Sequence, residues 1–170
     1  MNMETKRYKP VHPILRKLIN FFWVNTGELP ALNHKLLPIK NPDLIINISP
    51  QPVSLDDGKT ETRLRSIYFT GIMDKFRFVW KRAAGPIELI GVSFLPAGFF
   101  PFFEIPLSEF KNSVIDLDLL NPLLAERILE QVTKPKAIGL KIQALEQELL
   151  NQLHLNRIID PKLVQLTQKF

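Results

Sequence analysis

The residue types that carry most enzyme chemistry are sparse in this chain, and their spacing assembles no catalyst. The three histidines, His12, His34 and His154, stand far apart. A metal on adjacent strands needs three or four ligands, commonly His-x-His with a carboxylate and a further His, and that pattern is missing. His12 and His34 read as surface or loop residues. Cysteine is absent, which removes disulfides, thiolate zinc sites and cysteine nucleophiles. Ser93 lies in Gly91-Val92-Ser93-Phe94-Leu95. A nucleophile elbow needs glycine two residues before and two after, at a strand-to-helix turn, and the second glycine is missing. The seven glycines are dispersed, with no Gly-x-Gly to cradle a phosphate. Asp56-Asp57 and Asp116/Asp118 are pairs of carboxylates, but the first reads as a hairpin tip beside Gly58 and the second as a capping or loop segment before Leu119. The sequence therefore leads us to expect no catalytic residue, no metal ligand and no cofactor.

Composition narrows the classes further. The chain has 170 residues, one ordinary domain or a domain with an appendage, and 45% are apolar, enough for a real core. The net charge is +5 and the pI near 9.5. Basic residues on a nucleic-acid surface cluster; here they come in small groups (Lys6-Arg7, Arg16-Lys17, Arg63/Arg65, Lys81-Arg82) set far apart, so the chain is not itself expected to bind DNA. Met1 to Lys9 is polar with no apolar run behind it, unlike a secretory leader. The uncharged runs fall short of the ~20 residues that span a bilayer. A cytoplasmic protein with no membrane partner is expected.

The elements that must position any site come in two kinds. Tyr8 to Pro13 is an extended lead-in, and Ile14 to Trp23 passes from a short helical or irregular segment into a first strand. Gly27 to Leu32 is expected as a turn. His34 to Ser49 reads as strand, turn at Asn41-Pro42-Asp43, and a β-branched strand over Leu44–Ile48. Pro50 to Thr60 reads as a loop with a hairpin tip at Asp56-Asp57-Gly58. Strands follow at Ser66–Phe69, ending at Gly71, at Phe76–Trp80 and, after a Gly85-Pro86 turn, at Ile87–Phe94. Some six to eight short strands in all imply a sandwich or barrel. Beyond Pro106 the pattern turns helical. Asn121 caps a helix over Pro122–Val132, a longer one runs over Lys136–Leu155, and Asp160-Pro161 caps a last helix over Lys162–Phe170.

The aromatic set is the feature that could bear function. Trp23, Tyr68, Phe69, Phe76, Phe78 and Trp80 lie on expected strands. Inward aromatics either fill a small barrel or line a ligand cavity. The candidate ligand residues are Trp23, Phe69, Phe78, Trp80 and Arg77, with Arg65 and Glu88 as further polar anchors. In the long helix, Ile138, Ile142, Leu145, Leu149 and Leu153 form one stripe. Such a stripe packs on its own domain or pairs with a partner helix.

Two segments carry a family likeness. One is LPIKNPDLIINI, Leu37 to Ile48. The other is GVSFLPAGFFPFFEIPLSEFKNSVIDLDLL, Gly91 to Leu120, with its broken strand, Ala-Gly, aromatic run and Ile-Pro-Leu-Ser-Glu. With the aromatic entry Phe22-Trp23-Val24 and the Asp160-Pro161 step, they resemble the N-terminal sensor domain of AraC-type bacterial transcriptional regulators. The turn Ile39-Lys40-Asn41-Pro42 departs from the family's Leu-Pro-Asp-Gly-Cys. The resemblance implies an α+β fold, with an N-terminal β-barrel or sandwich (a cupin-like jelly roll) followed by C-terminal helices. It implies a β-rich sensor over residues 1–120, a helical dimerisation or linker segment over 121–158, and the start of a DNA-binding region over 159–170. A small-molecule effector, a homodimer through Ile142, Leu145, Leu149 and Leu153, and DNA contact only through helix-turn-helix units absent from this chain follow from the same likeness. A truncated regulator is the expectation. The alternatives from the residues are a small metal-free β-barrel enzyme and a stand-alone protein-interaction module.

Overall fold

Alternation along the strands decides the architecture. In the computed structural model, which describes residues 3–35, 38–75 and 78–156, Phe22 and Val24 of the strand Ile19–Leu29 (β2) point to one face of a sheet and Trp23 and Asn25 to the other. The same split separates Leu44 and Ile46 from Asp43 and Ile45 in Asp43–Asn47 (β4), Ile67 and Phe69 from Tyr68 and Thr70 in Ile67–Thr70 (β7), and Ile90, Val92 and Phe94 from Gly91 and Ser93 in Gly85–Phe94 (β9). Both sides of these strands are covered, which is why the stretches Leu44-Ile45-Ile46 and Ile67-Tyr68-Phe69 are apolar on both faces.

The strands are β1 (Met3–Tyr8), β2 (Ile19–Leu29), β3 (Leu32–Lys35), β4 (Asp43–Asn47), β5 (Val53–Asp56), β6 (Glu61–Arg63), β7 (Ile67–Thr70), β8 (Val79–Arg82), β9 (Gly85–Phe94) and β10 (Val114–Asp116). A six-stranded sheet runs β1-β2-β9-β4-β7-β10 and a four-stranded sheet β3-β8-β5-β6. The strand pairs within both sheets are antiparallel. Among the described residues the α-helices are two single turns, α1 (Phe100–Phe103) and α2 (Leu117–Leu120), and two longer ones, α3 (Pro122–Thr133) and α4 (Ile138–Asn156), with short 3-10 turns at Leu15–Lys17, Pro96–Gly98 and Leu107–Phe110. The result is an open β-sandwich with helices laid on the outer face of the larger sheet, the α+β order expected from the sequence. No helix among the described residues is long and apolar enough to cross a membrane.

Several boundaries depart from expectation, each for a physical reason. The polar METKRY segment forms β1, an exposed edge strand held by its ladder to β2, so hydrophobic pattern could not reveal it. Gly27 lies inside β2 rather than in a turn, paired with Met3 and Ile87. The Pro50–Thr60 segment contains β5, while its expected tip holds: Asp56 accepts from the Gly58 N–H at 2.8 Å and Asp57 from Lys59 and Thr60 at 2.9 Å. Gly85-Pro86 begins β9 instead of turning the chain. The strand expected at Phe76–Trp80 is β8, shifted to Val79–Arg82. Phe76, Arg77 and the helix expected beyond Asp160 lie outside the described residues.

The helical half follows the sequence closely. Asn121 Oδ1 accepts from the Leu124 N–H at 3.0 Å, with Pro122 in the first turn. Leu124, Ile128 and Val132 of α3 join Ile142, Leu145, Leu149 and Leu153 of α4 in the core against the sheet. Phe94 at the end of β9, with Phe99, Phe102 and Phe110 from the broken stretch after it, completes the core.

A candidate ligand cleft between the sheets

The larger sheet is filled unequally on its two sides. The helix side is close-packed: Phe69 stacks on Phe99 at 4.4 Å between ring centroids and meets Phe110 edge-on, and Phe99 stacks on Phe103 at 4.5 Å. Between the sheets the buried apolar cluster among the described residues is only Ile45, Val53, Leu55, Leu64 and Tyr68, with Trp23, Phe78, Trp80 and Val114 partly buried against it. Part of that space is an open cleft of about 370 Å³. The larger sheet supplies Asn25, Leu29, Ile45, Tyr68, Ile87 and Leu89 to its wall, the smaller sheet supplies Val53, Trp80 and Arg82, and Met3 sits at the rim. The volume falls in the range of small-molecule pockets.

Arg82 gives the cleft its polarity. On β8 it shares a face with Trp80, and it is 8% exposed. Its Nη2 donates to the Pro86 carbonyl and, at 3.2 Å, to Gln51 Oε1. A side chain at Gly85 would strike the Gln51 amide, and Gly85 has φ +143°, so glycine is what lets Gln51 lie over the strand and reach Arg82. Nε and Nη1 of Arg82 have no partner among the described residues, nor has Asn25 Oδ1. Burial works against the guanidinium charge and lowers its pKa, while the Glu28 carboxylate supports the charge from a distance.

At the other end of the inter-sheet space, Trp23 lies flat across Gly91, where a Cβ would come within 1.8 Å of the indole. The indole N–H donates to Asp43 Oδ2 at 3.2 Å, and Ser93 also hydrogen-bonds this carboxyl. Burial pushes Asp43 up to about 6. Asp43 is a single proton-holding group whose bonded neighbours, an indole and a hydroxyl, do not titrate near neutrality. No group of three or more metal-ligating side chains occurs among the described residues. A larger hollow of about 740 Å³ lies between α3 and the Arg63–Ile67 segment, but Arg65 there is already paired with Asp118 and largely exposed.

The candidate ligand residues separate. Trp23, Phe78 and Trp80 lie on the inter-sheet side, and Trp80 is in the cleft wall. Phe69 is fully buried in the opposite, helix-side core, because β7 alternates and only Tyr68 faces the cleft. Arg77 lies outside the described residues. Of the other anchors, Glu88 faces the helices, paired with Lys141, and Arg65 is at the surface. The four stripe residues of α4 are buried in the protomer's own core, at 7% exposure or less, packed with α3 and the sheet. Arg82, Asn25 and Asp43 were not singled out from sequence. The signal for Arg82 was local: in Val79-Trp80-Lys81-Arg82 it alternates onto the tryptophan's face.

The family model described as "Domain of unknown function (DUF6597)" matches residues 6–116, which runs from within β1 to the end of β10. No curated protein matches the chain. Among solved structures, the crystal structure of the AraC-like transcriptional activator CuxR is similar at a TM-score of 0.47 and 14% identity, over 89% of this chain and 55% of that one. This chain thus spans about half the length of that structure.

Proposed function

The chain belongs to the family described as Domain of unknown function (DUF6597), and on that premise we propose that it is the effector-sensing part of an AraC-type transcriptional regulator. The observation that carries this reading is the unequal filling of the sheet: one face sealed by helices, the other left with an open, mostly apolar cleft holding a buried arginine. A sensor needs that kind of vacancy, apolar with a few fixed polar groups. The likeness of Leu37–Ile48 and Gly91–Leu120 to AraC-type sensors supports the regulatory half.

A route for control lies in β9. Ile87 and Leu89 are in the cleft wall, and Glu88 between them reaches the other way to Lys141 of α4. The far end of α4 is tied to the aromatic turn, with Asn156 Nδ2 donating to the Pro101 and Phe102 carbonyls at 3.0 and 2.7 Å. An effector that prefers one placement of β9 biases the placement of α4 and of whatever α4 carries, in proportion to its differential affinity. In this reading the protein works in the cytoplasm as a homodimer, touches DNA through helix-turn-helix units outside this chain, and catalyses nothing. Any dimer contact uses surfaces other than the buried stripe of α4.

The coding sequence downstream of Phe170 tests the regulatory half. Two helix-turn-helix units are expected there, and a stop codon in their place overturns it. The sensing half is tested by melting the protein against a small-molecule panel, because a true effector raises the melting temperature in a concentration-dependent way. Both tryptophans of the chain lie on the inter-sheet side, so its fluorescence should change in the same titration.

A further inference from the structure

We propose that the cleft between the sheets takes a small apolar monocarboxylate, with its carboxylate against Arg82 and its body along Tyr68, Trp80 and Leu89. This rests on the sensor reading and names the chemical class of the effector. Arg82 is more than nine-tenths buried, yet both of its bonded partners, Gln51 Oε1 and the Pro86 carbonyl, are neutral. A cation taken out of water and left without a counter-charge in contact is costly. Nε and Nη1 remain without partners, and the side chain lines the cleft. Glu28 supplies its attraction from an exposed position and accepts no hydrogen bond from the guanidinium among the described residues.

The missing partner is therefore an acceptor bearing negative charge. One guanidinium balances one charge, which fits a carboxylate and leaves a phosphate dianion over-charged in an otherwise apolar wall. Tyr68, Trp80, Ile87 and Leu89 call for an aliphatic or aromatic body of modest size, and about 370 Å³ suits such a molecule.

The test uses the whole chain with octanoate and octan-1-ol as probes, each below its aggregation concentration, read by melting temperature and tryptophan fluorescence. Octanoate is expected to bind and stabilise, octan-1-ol to bind at least about tenfold more weakly, and Arg82→Gln to remove that preference. A tenfold ratio corresponds to losing one charge-assisted contact. Should Arg82→Gln fail to fold, the two probes on the unaltered protein still decide the matter. Equal binding of acid and alcohol overturns the carboxylate assignment and leaves the sensor cleft standing. Binding of neither probe overturns the assignment, while a response to a neutral compound elsewhere in the panel keeps the sensor reading alive.

Discussion

Gly91 and Asp43 show how one residue's chemistry is set by its neighbour across the sheet. Trp23 occupies the space a side chain at Gly91 would need. Gly91→Ala should cost about 1–3 kcal/mol through overpacking and shift the tryptophan emission; an unchanged melting curve and spectrum would show that the indole is free to move. Asp43 binds a proton in the native state up to about pH 6, against 3.8 for an ordinary carboxyl. Its contribution favours the fold fully below 3.8 and is lost as pH rises through 6, because the native state then gives up a proton it held preferentially. A shift of that size is worth roughly 3 kcal/mol. Asp43→Asn keeps an acceptor for the Trp23 indole and removes the titration. The variant should gain stability relative to the parent above pH 6, and denaturant melts at pH 4 and pH 7 measure the difference. An equal difference at the two pH values would sink the assignment.

At the scale of elements, β9 and α4 are joined by a charge pair with unequal burial. The Lys141 side chain is 8% exposed and that of Glu88 32%. Removing Glu88 strands a buried ammonium, whereas removing Lys141 leaves a carboxylate that water already reaches. Glu88→Ala should therefore cost about 2 kcal/mol and Lys141→Met about half of that, in urea melts at neutral pH; a reversed order would mean that the pair is not formed in solution. The stripe of α4 gives a second expectation. Leu145 and Leu149 are fully buried in the core, so truncating either to alanine should cost about 2–5 kcal/mol and leave the mass by light scattering unchanged. A changed mass with an unchanged melting point would return these side chains to an interface between copies.

For the whole molecule, the layering predicts a gradient of local stability. β4 and β9 sit inside the larger sheet with cover on both faces, while β1 is an exposed edge and every residue of β6 is exposed. Amide exchange should be slowest in β4 and β9 and fast in β1 and β6, since opening there disrupts little buried surface. An effector in the cleft should slow exchange in β8 and β9 before it affects α3. Uniform exchange across both sheets would contradict the layered core.

By itself the sequence determined what depends on near neighbours in the chain. Apolar and β-branched runs between turn residues marked β4, β7, β8 and β9, the Asp56-Asp57-Gly58 tip followed from local hydrogen bonding, and Asn121-Pro122 with regular apolar spacing marked α3 and α4. The order of strands before helices then limited the fold to a β-rich body with helices laid on it. The sparse histidines and absent cysteine argued against a metal or thiol site at the same level. Only the tertiary structure decided which face of each strand met which layer. Tyr68 and Phe69 are adjacent and both aromatic, yet one faces a cleft and the other a packed core. The spacing of the α4 leucines fits a partner helix as well as the protomer's own sheet, because an apolar stripe does not specify what covers it. Arg82 takes its face from local alternation and one bond from Pro86 nearby, but its burial and charge balance come from Gln51 and Tyr68, far away in the chain. Burial and charge balance arise from contacts far apart in the chain, so they appear only once the sheets have closed.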